Sequence, residues 1–411
     1  MAEHYQSHRF ENGLQLLVET VPDVRSAACV LLLPAGTAYD TPDQAGLANL
    51  LTELAPRGAG DRSYRELAVA FDNLGVQRFE SAEIQHSAYG MTMLAEKLPT
   101  AFELFADVVL RPQLTQEQLE NSQSTILQEI EAIEDDPAQK LFIELRRRAL
   151  PPPLGQPTLG TAESIEGLTV EAARRFHERC YRPEGAILGI AGAVEFAAVR
   201  DLVARRLGDW KSRAQSKLEI GAAPGGHGHI KGDKVQTHLG ISFPSVNYSD
   251  PDFFNAHGAI GVLGGGMSSR LFSEVREKRG LCYSVSASYH PLRDLGFVLC
   301  YAGTTNERAA ETATVMMAEL RRLADGVAED EVQRVRAGLK ASLVISEEST
   351  TSRAGVLARS WYNLGRVRSL EEVAAEVDKI TPEGIVGFLE RHPPRDFTSV
   401  TYGPQPLEIA S

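Results

Sequence analysis

In "AGLANLLTELAPRG", residues 45–58, Leu47, Leu50, Leu51 and Leu54 repeat at i, i+3, i+4 and i+7 and predict a short amphipathic helix. Advancing 100° per residue groups Asn49, Thr52 and Glu53 on the opposite side. Polar residues at x, x+3 and x+4 are the arrangement by which an H-x-x-E-H helix presents two metal ligands and a general base. The letters here weaken that chemistry. Zinc takes imidazole, thiolate or carboxylate donors, and an Asn amide substitutes poorly. A Thr hydroxyl is no usable base near neutral pH. Glu53, joined by one distant carboxylate, could hold a hard cation weakly, but without imidazole this makes no catalytic zinc site.

The distant carboxylate is Glu129, on the long helix predicted from "LTQEQLENSQSTILQEIEAIEDDPAQ". Thr115 and Gln118 form a capping box at its start. Leu119, Ile126, Ile130 and Ile133 make the buried stripe, and Glu129 lies about 60° off it. Its bland reading is a boundary carboxylate on a helix that also carries Glu131, Glu134, Asp135 and Asp136.

The second half carries "GVLGGGMSSRLFSEVREKRGLCYSVSASY". Gly264, Gly265 and Gly266 are followed by Met rather than Lys-Ser/Thr, which excludes a P-loop. Small residues that let a helix start close to a sheet explain them better. Leu271, Phe272 and Val275 anchor that helix, Gly280 is a natural C′ residue, and Tyr283 begins an alternating strand. On its own Arg276 reads as a basic helix end favourable to the helix dipole, and Tyr283 as a half-buried strand residue. His227 and His229 stand two apart in a Gly-rich stretch, and His257 reads as a packed or capping histidine. No G-x-S-x-G occurs and no cysteine sits beside an evident base, so nothing supports a nucleophile.

These residues need two domains to position them, as 411 residues exceed one ordinary core. The halves repeat one another. "LLLPAGTAYDTPDQAGLANLL" lies over "GISFPSVNYSDPDFFNAHGAI", matching Tyr39, Pro42 and Asp43 to Tyr248, Pro251 and Asp252 at one constant offset. "LTQEQLENSQ" and "VAEDEVQRVR" then open comparable long helices. Periodicity lapses from about Ser212 to Asp233, read as a linker between domains 1–211 and 234–411. Strand-like runs alternate with long helices in both, which indicates an α+β or α/β sandwich with helices covering a sheet. A net charge of −13 argues against nucleic-acid binding. No run of about 18 apolar residues exists to span a membrane. The start lacks a basic region leading into an apolar stretch, so no secretory signal is read. Cys29, Cys180, Cys282 and Cys300 have no C-x-x-C spacing and read as free thiols, making the cytoplasm the expected compartment.

Several of these segments together resemble the pitrilysin-like M16 metallopeptidases and the mitochondrial processing peptidase subunits. "PAGTAYDTPDQAGLANLLTELAPRGAGDRS" resembles the segment bearing H-x-x-E-H, "LQEIEAIEDDP" the helix with the third ligand Glu, and "FHERCYRPEGAILGIAGAV" a strand-forming segment near the end of the first domain. The resemblance implies two homologous α+β domains, each a mostly antiparallel sheet with helices packed on it, of the LuxS/MPP-like metallohydrolase type. It places the two zinc histidines on Asn49 and Glu53, the general base on Thr52 and the third ligand on Glu129. It also makes Arg276 and Tyr283 the pair that binds the substrate carbonyl and stabilises the oxyanion. The implied role is a zinc-less subunit of a heteromeric peptidase. No metal is expected in this chain; a homologous partner subunit with H-x-x-E-H would hold the zinc and bind peptide or unfolded polypeptide by strand addition. Phe79 stands where active relatives carry a small polar entry, so no strand addition is expected at its own site. The rival is a non-proteolytic scaffold of the core-protein type.

Overall fold

The computed structural model describes residues 5–211, 218–233 and 236–409. Two compact units emerge, each assembled from three stretches of chain. The first combines Met1–Ala132, Pro152–Gly221 and Ile345–Val367; the second combines Ile133–Pro151, Ala222–Val344 and Arg368–Ser411.

In the first unit the strands are β1 (Gln6–Arg9), β2 (Gln15–Thr20), β3 (Ser26–Leu33), β4 (Gln77–Ala82), β5 (Ser87–Leu94) and β6 (Ile187–Gly192). They lie in the order β1-β2-β6-β3-β5-β4. The second unit uses β7 (His227–Lys231), β8 (Gln236–Ser245), β9 (Cys282–Pro291), β10 (Gly296–Thr305) and β11 (Thr398–Gly403), in the order β9-β10-β8-β11-β7. Among the described residues, only β2–β6 in the first sheet and β7–β11 in the second pair parallel. Read from those parallel pairs outward, the sequence of neighbours is the same in both sheets: β6-β3-β5-β4 repeats as β11-β8-β10-β9. The duplication visible in the sequence is thus a duplication of topology. The stretch expected as linker, 212–233, includes strand β7; its residues 212–217 lie outside the described residues.

Alternation along β3 sends Cys29, Leu31 and Leu33 to one face and Ala28, Val30 and Leu32 to the other. The first set meets α1 (Leu47–Leu54) and α2 (Gln116–Glu134) in the main core with Leu50, Leu51, Phe102 and Ile126. Each fully buried leucine there contributes on the order of 2 kcal/mol. The second set meets Ala354, Leu357 and Ala358 of a helix from far down the chain, numbered α6 below (Thr350–Leu364). Reciprocally, α3 (Pro137–Ala149), from the first half of the sequence, belongs to the second unit. Its Leu141 and Leu145 lie over Gly240 of β8, and its Phe142 ring stands 5.2 Å from that of Tyr301. The opposite face of this sheet packs on α4 (Phe253–Gly264) and α5 (Glu329–Glu347) through Leu239, Ile241, Ala256, Leu263 and Val332. Each sheet is therefore covered on both faces.

Candidate functional site

The helix α1 is started by a buried carboxylate. Asp40, 5% exposed, accepts from the N–H groups of Gly46 and Ala48, each at 3.0 Å. Gly46 has φ +90°, and a Cβ there would meet the carbonyl oxygen of Leu159 at 2.5 Å, so glycine is required on both counts. The leucine stripe is buried as its spacing predicts. On the other side Asn49 and Glu53 are half-buried and Thr52 is buried.

Thr52 directs its hydroxyl back into its own helix, donating to the Asn49 carbonyl at 2.8 Å. Glu53 forms an ion pair with Arg57 one turn on, and the same guanidinium nitrogen donates to Thr125 Oγ1 of α2 at 3.2 Å. Glu129 follows Thr125 by one helical turn. Burial, and then the charge of Glu53, raise its carboxyl above the ordinary range. Glu80 of β4 is likewise raised, chiefly by burial; Arg78, 3.5 Å away, opposes the shift and Glu53 adds to it. The structure thus brings Glu53 and Glu129 together, as the sequence suggests, and adds Arg57 and Glu80. The i, i+4 spacing of Glu53 and Arg57 was the available signal for the first addition. For Glu80 no local pattern exists.

This donor set does not suit zinc. Its only imidazole-equivalent positions hold an amide and a carboxylate already paired with a permanent cation, and Thr52 is spent on a backbone carbonyl. Among the described residues the one group of three potential ligands within 4.8 Å of one another is Asp250, Asp252 and His392, in the second unit. There Arg391 already grips Asp252 through both carboxylate oxygens, at 2.6 and 2.9 Å.

Arg276 and Tyr283 lie in the second unit on two irregular pieces of backbone. The segment Phe272–Glu277 is a π-helix, held by the Lys278 N–H donating to the Ser273 carbonyl at 2.9 Å. Gly280, at φ +60°, ends it, and the Leu281 N–H returns to the Val275 carbonyl. Leu271 and Val275 are buried as expected. The neighbouring cations are taken up by Glu274, which pairs with Lys278 at 2.6 Å and Arg279 at 2.9 Å. Arg276 instead lies over the Phe272 ring, 4.9 Å from its centroid, and stays exposed. Tyr283 is the extra residue of a bulge: Cys282 faces Thr304 and Ser284 faces Gly303, leaving it unpaired in the ladder. The sequence alone suggests a half-buried strand tyrosine; the bulge turns it out to 66% exposure. A π-turn and a bulge are both devices that re-aim a side chain at functional sites.

His227 and His229 lie on β7, where their Nδ1 atoms meet the hydroxyls of Ser399 and Thr401 on β11 at 2.6 and 2.9 Å. His257 packs between Phe253 and Tyr289. Phe79 covers Gly90 on the adjacent strand, where a Cβ would collide with its ring. All four cysteines are buried and free. No helix among the described residues is long and apolar enough to cross a membrane.

Residues 16–162 match the family described as insulinase (peptidase family M16), and residues 167–339 match the peptidase M16 inactive domain. An uncharacterized zinc protease of Mycobacterium bovis is 31% identical over 95% of this chain and 91% of its own length. The chain belongs to peptidase family M16. An uncharacterized zinc protease of Rickettsia bellii is 27% identical over 99% of both chains. The two-unit M16 architecture is also that of a peptidase M16 inactive domain from Pseudomonas fluorescens, with TM-score 0.92 and 23% identity, covering 99% of this chain and 100% of that one. A chain of complex III from Candida albicans shares the fold at TM-score 0.85 and 18% identity, covering 98% and 97%.

Proposed function

We propose that this M16 chain is the zinc-less subunit of a heteromeric peptidase, in which Arg276 and Tyr283 serve a substrate held at the zinc of a homologous partner. The observation that carries the reading is the contrast between the two sites. In the first unit the positions of H-x-x-E-H hold a neutral amide, a hydroxyl turned to a backbone carbonyl and a carboxylate paired with Arg57. In the second, Arg276 on a π-helix and Tyr283 on a bulge are both exposed.

The chemistry follows from the side chains. Zinc on the partner would polarise the scissile carbonyl and supply the hydroxide. Arg276, permanently charged, would hold the substrate's backbone carbonyl, and the Tyr283 hydroxyl would donate to the oxygen on which charge develops. Removing one such donor costs roughly 10²–10³ in kcat. The expected localisation is cytoplasmic and the substrate a peptide or unfolded polypeptide bound as an added strand in the partner.

The test is peptide hydrolysis by this chain alone, by an H-x-x-E-H relative encoded beside it, and by both mixed. Activity confined to the mixture and lost in Arg276→Ala is the expected result. An unchanged rate on mixing overturns the shared site and leaves a non-proteolytic scaffold.

A further inference from the structure

His227 and His229 serve neither of the sites described above. In the sequence they stand in a Gly-rich stretch, and a loose pair of histidines must be ordered before it can hold an ion. In the structure that ordering is already done. Strand β7 pairs in parallel with β11, setting His227 against Ser399 and His229 against Thr401. Residues i and i+2 of a strand share one face, here about 6.6 Å apart along the chain.

The other face of β7 is pinned by α3. Arg148 donates to the His227 carbonyl at 3.3 Å, and a Cβ on Gly228 would meet Arg148 Nε at 2.6 Å. Glu144 in turn holds Arg148 at 2.6 Å. The backbone that carries the two histidines is therefore fixed by the sheet on one side and by a helix above it.

Both rings are also oriented. Nδ1 of His227 meets Ser399 Oγ at 2.6 Å, and Nδ1 of His229 meets Thr401 Oγ1 at 2.9 Å. When Nδ1–H donates to the hydroxyl, each Nε2 is left with a free lone pair. Metal-ligating histidines are held in this way, by an outer partner that fixes tautomer and ring orientation. Nε2 of His229 is buried and has no hydrogen-bond partner among the described residues. A buried polar atom left unpaired is costly and calls for a partner. His227 beside it is exposed, which gives an ion a path from solvent.

We propose that His227 and His229 bind one divalent transition-metal ion, zinc or copper, through their two Nε2 atoms, with Ser399 and Thr401 positioning the rings. Imidazole nitrogen suits zinc, copper and nickel, whereas magnesium and calcium take oxygen ligands. Two protein ligands leave the remaining positions of a tetrahedral zinc ion to water, so the ion is exchangeable rather than enclosed. Strand β7 is an edge of its sheet, the one opposite β9. Ligation there needs no partner subunit and no peptide, so the full chain by itself is the sample.

Calorimetric titration of the metal-free chain with zinc chloride is expected to show one equivalent bound. His227→Ala and His229→Ala should each weaken binding at least tenfold. Thr401→Val keeps the shape of the side chain but removes the hydroxyl, and should cost about tenfold. Thermal melts without metal establish that the variants fold. Copper should bind more tightly than zinc, and its paramagnetic resonance should show two coupled imidazole nitrogens, reduced to one in either histidine variant. Magnesium and calcium should give no heat. Bound zinc should also slow hydrogen exchange at the amides of 227–231. Absence of zinc binding overturns the proposal. So does zinc binding unchanged in the folded histidine variants, whether the ion is then lost in Glu129→Gln, which places it in the first unit, or in His392→Ala, which places it beside Asp252.

Discussion

Arg57 bonds Glu53 and Thr125 through one guanidinium nitrogen, so a single cation ties α1 to the helix that carries Glu129. It does so where burial, and then the charge of Glu53, raise the proton affinity of Glu80 and Glu129. Arg57 is thus the cation between these helices.

Arg57→Ala should destabilise the protein by about 1 kcal/mol at pH 7, since the pair is partly exposed and the hydroxyl contact is neutral. The loss should shrink at acidic pH, where the raised carboxyls of Glu80 and Glu129 take up protons and no longer repel. Urea unfolding at both pH values checks this, and equal losses would show that the carboxylate cluster plays no part.

Asp40 gives a second pH signature. Burial lifts its carboxyl up to about 8, against the opposing N–H groups of Gly46 and Ala48 and the charge of Arg179. Between an unfolded value near 4 and that folded value, the unfolded chain has released a proton that the folded chain keeps. Stability at this site is therefore full at low pH and declines as pH rises toward 8. Asp40→Asn, permanently neutral, should flatten that decline. Parallel stability curves for the two proteins from pH 5 to 8 would contradict the assignment.

Much of this was legible in the letters. Leucine spacing located α1, Thr115 and Gln118 cap α2 as a reciprocal pair at 3.1 and 3.3 Å, and Gly280 ends its helix with a positive φ. The repeat of Tyr39, Pro42 and Asp43 announced the duplication. Other features were out of reach for physical reasons. Periodicity tells which face of a helix is apolar, but not which sheet receives it, so the exchange of α3 and α6 between units left no trace. Strand β7, "HGHIK", lacks a β-rich composition and exists because β11 offers it a parallel edge. The bulge at Tyr283 depends on cross-strand register, which local sequence does not encode.

Arg276→Ala and Tyr283→Phe should separate stability from activity. Both side chains are exposed, so each substitution should leave unfolding within about 0.5 kcal/mol of the parent. In the mixed-subunit assay each should lower kcat on the order of 10²-fold. Matching losses of stability and activity would mean that the pair is structural.

Gly189 tests the exchanged helix. A Cβ on this β6 residue would lie 2.2 Å from the Ala354 carbonyl oxygen and 3.3 Å from the Ala358 nitrogen, both backbone atoms of α6 that no rotamer change can move. Gly189→Ala must therefore lift α6 as a body, loosening Leu357 and straining the Arg353–Glu19 ion pair and the 3.3 Å contact between Thr350 and Ser26. Gly→Ala at a compatible site ordinarily stabilises by up to about 1 kcal/mol, whereas forced overpacking costs about 1–3 kcal/mol, so the sign decides. Gly189→Ala should lower stability, and Gly338→Ala on α5, where the added Cβ meets nothing, should raise it. Hydrogen exchange should quicken at the amides of 350–364 in the first variant and not in the second. A stabilised Gly189→Ala protein would mean that α6 does not rest on β6.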